Sequence, residues 1–104
     1  MEIKVPGQIK VGAHNAKVVF TSNLKVDDGW KGCYNQRLGL IQVDPVGGAD
    51  KDKTLMHEVV HMVDLNYECG LDEVNISRIA NGITEFLQNN LGIAFSWVDI
   101  PKKE

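Results

Sequence analysis

The sequence predicts an α+β fold: a small N-terminal antiparallel or mixed β-sheet, then a helix that carries the chemistry, then a second helix packed on it. Three observations carry this. Up to Val43 the apolar residues come in short β-prone runs broken by Gly, Pro and Asn. From about Asp52 the period becomes helical, with neither Gly nor Pro until Gly70, and a second helical stripe begins near Asp72. At 104 residues the chain suits a single domain, because two cores would each approach the size at which chains need disulfides or metals to fold.

The elements follow in order. Ile3 to Val5, Gln8 to Val11 and Ala16 to Phe20 read as strands, separated by Pro6-Gly7 and by the turn-forming Gly12-Ala13-His14-Asn15. A polar stretch from Thr21 to Gly29 leads to Trp30-Lys31-Gly32-Cys33-Tyr34. Leu38 to Val43 then forms a core-facing strand, ended by Asp44-Pro45 and Gly47-Gly48. The first helix starts from Asp52 or Thr54 as N-cap and is apolar around most of its surface through Leu55, Met56, Val59, Val60, Met62 and Val63. Such a helix is expected to be buried on nearly every side. The second helix is predicted from about Asp72 to Asn89, with Ile76, Ile79, Ala80, Ile83, Phe86 and Leu87 as one core-facing stripe. Ala94 to Ile100 is expected to add an edge strand or an extended segment, and Pro101 to Glu104 to fray.

Charge narrows the function classes. The formal net charge is -3, which removes the basic footprint of a protein that binds nucleic acid through phosphates. The distribution is uneven: residues 1–53 carry 8 basic and 6 acidic side chains, a net of +2, and residues 54–104 carry 3 and 8, a net of -5. An acidic half is either a solubilising surface or the surroundings of a bound cation. No apolar leader or membrane-length apolar run is visible, so a cytoplasmic protein without a membrane partner is expected. Cys33 and Cys69 lack C-x-x-C spacing and are expected to be reduced, partly buried thiols.

The chemistry lies in His57-Glu58-Val59-Val60-His61, an H-E-x-x-H pattern on the first helix. Imidazoles at i and i+4 share one helical face and reach one metal ion. Glu58 lies about 100° round the helix, placed to serve a water rather than the metal. That division of labour suits hydrolysis, with zinc acidifying water and a carboxylate taking the proton. Shuffling this composition produces the pattern on the order of 0.5% of the time, and its place in an otherwise apolar helix adds weight. The competing reading, two core histidines with a buried ion pair, must find partners for several desolvated groups.

A catalytic zinc takes a third protein ligand. An antiparallel helix hairpin returns Glu73 toward His61, and Glu73 is the first candidate. Glu85 competes from three turns further on, on a face that reads as solvated. His14 reads as an exposed turn residue, Asp64 as an acceptor that orients an imidazole, and Asp72 as either a helix cap or a site residue. For the oxyanion stabiliser the candidates are Tyr67, Tyr34, His14 and Arg37.

Ile41-Gln42-Val43-Asp44, a Gly- and charge-rich loop, and Thr54 to Asp64 together resemble the strand-loop-helix core of small zinc metallopeptidases of phages and prophages, related to the ImmA/IrrE type. Leu71-Asp72-Glu73, with Ile76 and Ile79-Ala80-Asn81-Gly82-Ile83, is similar to their second helix. The resemblance spans roughly residues 38 to 90 and is sharpest at the H-E-x-x-H. It implies a minimal zincin-like peptidase fold, His57 and His61 on Zn2+, Glu58 as general base and a downstream Glu, here Glu73, as third ligand. Some relatives place that Glu where this chain has Ser77. Many also carry extra domains for substrate choice, so a protein or peptide substrate brought by a substrate-selecting partner is expected. The alternative is a metal-stabilised binding or regulatory module that engages a partner through the Trp30 to Arg37 region or the Trp97 tail.

Overall fold

The computed structural model describes residues 1–22, 32–45 and 50–102; the Gly47-Gly48 strand end, Trp30-Lys31 and Lys103-Glu104 lie outside them. Six strands and two helices follow the order β1 (Glu2–Lys4), β2 (Gln8–Val11), β3 (His14–Phe20), β4 (Gly32–Asn35), β5 (Leu40–Val43), α1 (Asp50–Tyr67), α2 (Glu73–Asn90) and β6 (Ala94–Ser96). The chain is a compact α+β structure with small mixed sheets.

The larger sheet has the order β2-β3-β5-β4. β2 and β3 form a hairpin in which Val11 faces His14, so the turn is only Gly12-Ala13, and Gly12 supplies the positive φ of 60° that it needs. His14 and Asn15 therefore belong to a strand rather than to the expected turn. β3 pairs with β5 in parallel and β4 with β5 antiparallel, which leaves β4 at the margin. β1 pairs in parallel with β6 in a second, two-stranded sheet.

α1 is the centre of the molecule. Leu55 and Met62 pack with Val18, Ile41 and Val43 of the sheet and with Val5 and Ile100. Val60 turns instead to Ile76 and Ala80 of α2, with Met56 and Leu71 beside them. Two layers claim two sides of one helix, and no residue from Lys51 to Asp64 is exposed. The helix begins at Asp50, so neither Asp52 nor Thr54 is its N-cap. Asp52 has another use: its carboxylate accepts the Trp97 indole N–H at 2.9 Å and the Gln88 amide at 3.3 Å, tying the tail and α2 to the start of α1.

Three expectations need correction. The stripe on α2 is only half buried: Ile76 and Ala80 are covered, whereas Ile79, Ile83 and Phe86 are 40%, 41% and 53% exposed. α1 occupies one side of α2, and no described element covers the neighbouring side. Pro101 and Lys102 are pinned rather than frayed, because the Phe20 N–H donates to the Pro101 carbonyl at 2.8 Å and Phe20 bridges to Lys102. Neither cysteine forms a disulfide, but Cys69 is exposed because it lies in the turn after α1.

No described helix is long and apolar enough to cross a membrane.

Candidate metal centre

The site lies where α1 faces both β4 and the start of α2. Its geometry starts with the turn between the helices. Glu68 leaves α1 with φ 52° and Gly70 follows with φ 71°, reversing the chain. The Asp64 carboxylate accepts the Leu71 N–H at 2.8 Å, and the Asp72 carboxylate accepts the Asn75 N–H at 2.8 Å as the N-cap of α2. Asp64 thus holds the turn rather than an imidazole, and Asp72 caps rather than ligates. The consequence is positional: Glu73, the first residue of α2, comes back over His57 and His61.

The three side chains meet. Glu73 Oε1 lies 2.5 Å from His57 Nε2, Glu73 Oε2 lies 3.2 Å from His61 Nε2, and the two Nε2 atoms are 3.2 Å apart. One ligand atom from each residue falls within 4.8 Å of the others. Around a tetrahedral zinc with bonds of about 2.0–2.1 Å, neighbouring ligand atoms stand about 3.3 Å apart. The two imidazole nitrogens stand at that distance from each other, and the Glu73 carboxylate reaches each of them through a different oxygen, so the donor set can close on a small cation, and a His₂-carboxylate set suits zinc among the divalent ions.

A fourth residue supports the first. Ser77 Oγ lies 3.3 Å from His57 Nδ1, one turn along α2 from Glu73. With the proton on Nδ1 donated to this hydroxyl, the Nε2 lone pair points at the other two ligands. Sequence reasoning gave Ser77 no such role. The signal available was its position four residues after Glu73, which puts both on one face of α2.

Glu58 is 6% exposed and is turned from the histidines toward β4. Burial pushes its carboxyl up to about 7, the nearby Glu73 charge adds to the rise, and the Tyr34 backbone N–H, donating to the carboxylate, opposes it. The strand can come this close because residue 32 is Gly. A Cβ there would stand 2.5 Å from Thr54 Cγ2 and 3.4 Å from Glu58 Oε2.

Compared with known proteins, the chain matches no family model, and no curated protein or solved structure is significantly similar to it.

The ligand atoms and Glu58 open into one cleft of about 490 Å³, whose other walls are Gly32, Cys33, Tyr34 and Leu65. Of the four candidates for an oxyanion stabiliser, Tyr34 alone lines this cleft; burial raises its phenol above the ordinary value. His14 sits on β3 with its Nε2 3.4 Å from the Gln36 amide, Arg37 is in the β4–β5 turn, and Tyr67 is 64% exposed at the end of α1. Glu85 is also elsewhere, 3.3 Å from Lys53 Nζ in an exposed ion pair. The arrangement can hold a cation on one wall of an open cleft and keep a proton acceptor on the adjacent wall.

Proposed function

We propose that this chain is a zinc-dependent peptidase of minimal zincin-like architecture, acting in the cytoplasm on a protein or peptide. His57, His61 and Glu73 would hold the ion, and Glu58 is the general base. One observation carries the reading: a buried carboxylate with its own backbone donor lies beside two imidazoles and a carboxylate whose ligand atoms converge within 4.8 Å of one another, all on one cleft. The resemblance to small phage and prophage metallopeptidases of the ImmA/IrrE type supports the same assignment.

Zinc bound there supplies Lewis acidity and lowers the pKa of water toward neutrality. The chain supplies the rest. A Glu58 carboxyl pushed up to about 7 is matched to taking a proton from water and returning it to a leaving amine near neutral pH. The Tyr34 N–H holds one carboxylate position, so proton transfer starts from a fixed geometry. The Tyr34 phenol, on the facing wall of the cleft, is the donor best placed to reach a carbonyl oxygen that gains charge. β4 has a strand partner on one side only among the described residues, and its other edge, apart from the Tyr34 N–H held by Glu58, is the one along which an extended peptide would lie.

The test is a pair of measurements. Glu58→Gln should keep stoichiometric metal and lower hydrolysis of an unfolded protein by about 10²–10⁴-fold. Glu73→Ala should lose metal, whereas Glu85→Ala should retain it. Undiminished cleavage by Glu58→Gln overturns the assignment of the base.

A second reading draws on a different feature. The ligands come from both helices, so an ion there also cross-links α1 to α2, as in a metal-stabilised binding module. Of the partner surfaces expected for such a module, Trp97 is engaged within the fold, stacked on Phe20 with ring centroids 5.5 Å apart. Unfolding on chelation, without hydrolysis of any protein offered, would favour this reading.

A further inference from the structure

The exposed half of the α2 stripe is unrelated to the metal centre. At about 100° per residue, Ile79, Ile83 and Phe86 fall within about 60° of one another, with Gly82 at the border, while Glu73 and Ser77 lie on the far side of the helix. This face is apolar and open, with Ile79, Ile83 and Phe86 40%, 41% and 53% exposed. Gly82 adds a second, independent oddity. A glycine inside a helix is destabilising relative to alanine, and among the described residues nothing stands within 4 Å of where its Cβ would be. Contacts among the described residues give no reason for it. Close approach of another helix does.

The charges along one margin of this face indicate which helix. Arg78 and Glu85 both project on the side away from the core, seven residues apart, one on each side of Gly82. We propose that this face is the contact between two copies of the chain, α2 packing antiparallel on α2 about a two-fold axis close to Gly82. In that arrangement a margin residue stays on its side of the interface while the chain direction reverses. Arg78 of each copy therefore meets Glu85 of the other, twice per dimer. A parallel two-fold pairing would carry the margins to opposite sides and leave the charges unmatched, so the charge pattern selects the antiparallel form. Arg78 has no ion-pair partner among the described residues. Glu85 already meets Lys53 through Oε1, and its second oxygen remains for the other copy. The metal cleft stays open, because its ligands leave α2 on a different side.

Three side chains and a glycine contact cover less than the standard interface of about 800 Å² per partner, so the dimer is weak, with a Kd on the order of tens to hundreds of micromolar. Sedimentation equilibrium of the full chain from about 10 µM to 1 mM spans that range. The weight-average mass should rise from 11.5 kDa toward twice that value. Phe86→Asp should hold it at the monomer mass. Gly82→Ala should raise the melting temperature of the monomer and still weaken association. Arg78→Glu and Glu85→Arg should each weaken association about tenfold, and an equimolar mixture of the two variants should recover it, since each charge again meets its opposite. A wild type that stays monomeric throughout overturns the proposal, as does association that survives Phe86→Asp. A mixture no stronger than either variant alone overturns the antiparallel pairing.

Discussion

Glu58 and Ser77 show how much of the site rests on single polar contacts. Glu58 is a carboxylate in a buried place, and its raised pKa makes the metal-free fold pH-dependent in a defined direction. Between pH 4.5, its ordinary value, and about 7, the unfolded chain has released this proton and the folded chain has kept it. The folded state then binds more protons, so stability falls as pH rises across that window and levels off above it, a loss of at most about 3 kcal/mol. Urea denaturation of the metal-free chain at pH 5 and pH 8 measures it; Glu58→Gln should flatten the difference, and an unchanged difference in that variant would assign it to another group. Ser77 acts through His57 instead of touching substrate. Ser77→Ala should weaken zinc binding by about 10-fold or more in a chelator competition while leaving the metal-free melting temperature nearly unchanged, and Ser77→Thr should recover most of the affinity. An equal loss of affinity in both variants would count against a hydroxyl-to-imidazole contact.

Among the elements, the decisive meeting is that of β4 with α1. Gly32 allows it, for a side chain there meets the Thr54 methyl and crowds the Gln42 carbonyl. Gly32→Ala should displace β4 from α1, loosen the Tyr34 N–H from Glu58 and lower kcat more than it raises KM, with a stability cost of about 1–3 kcal/mol from overpacking. Full activity in this variant would show that the contact is not needed. The α1–α2 turn is the other meeting, and here the sequence was only partly legible. The two helices, their order and the place of the turn follow from period and from Gly70. That Asp64 would cap Leu71 instead of facing an imidazole does not, because a carboxylate seven residues after His57 has the same helical phase for either role. Likewise the α2 stripe was visible as a stripe, but amphipathic spacing says only that a face is apolar, not what covers it. Ile76 and Ala80 found α1, and Ile79, Ile83 and Phe86 did not.

For the whole molecule, a cation at His57, His61 and Glu73 would join two helices of a small domain whose core is divided into two clusters. An ion that binds only the folded chain stabilises it by about 4 kcal/mol at 1,000 times its Kd. For a domain of this size that is an upward Tm shift of about 15 °C or more. Calorimetry with excess zinc and then with EDTA should show the shift and its reversal, and His61→Ala should abolish both. A Tm indifferent to zinc in the wild type would count against any metal at this site.

The sequence by itself determined the α+β class, the order of strands before helices, and the placement of His57, Glu58 and His61 on one helix, because helical period and strand alternation are local properties of the chain. It also narrowed the candidates for a third ligand to a few acids. Only the tertiary structure showed which of them lies beside the histidines, bringing Glu73 to His57 and His61 and Glu85 to Lys53. It alone set Tyr34 and Gly32 against Glu58 and left Ile79, Ile83 and Phe86 of α2 exposed. These outcomes depend on the angle of a turn and the approach of two elements distant in sequence, which the packing of all the side chains determines together and which no window of residues contains.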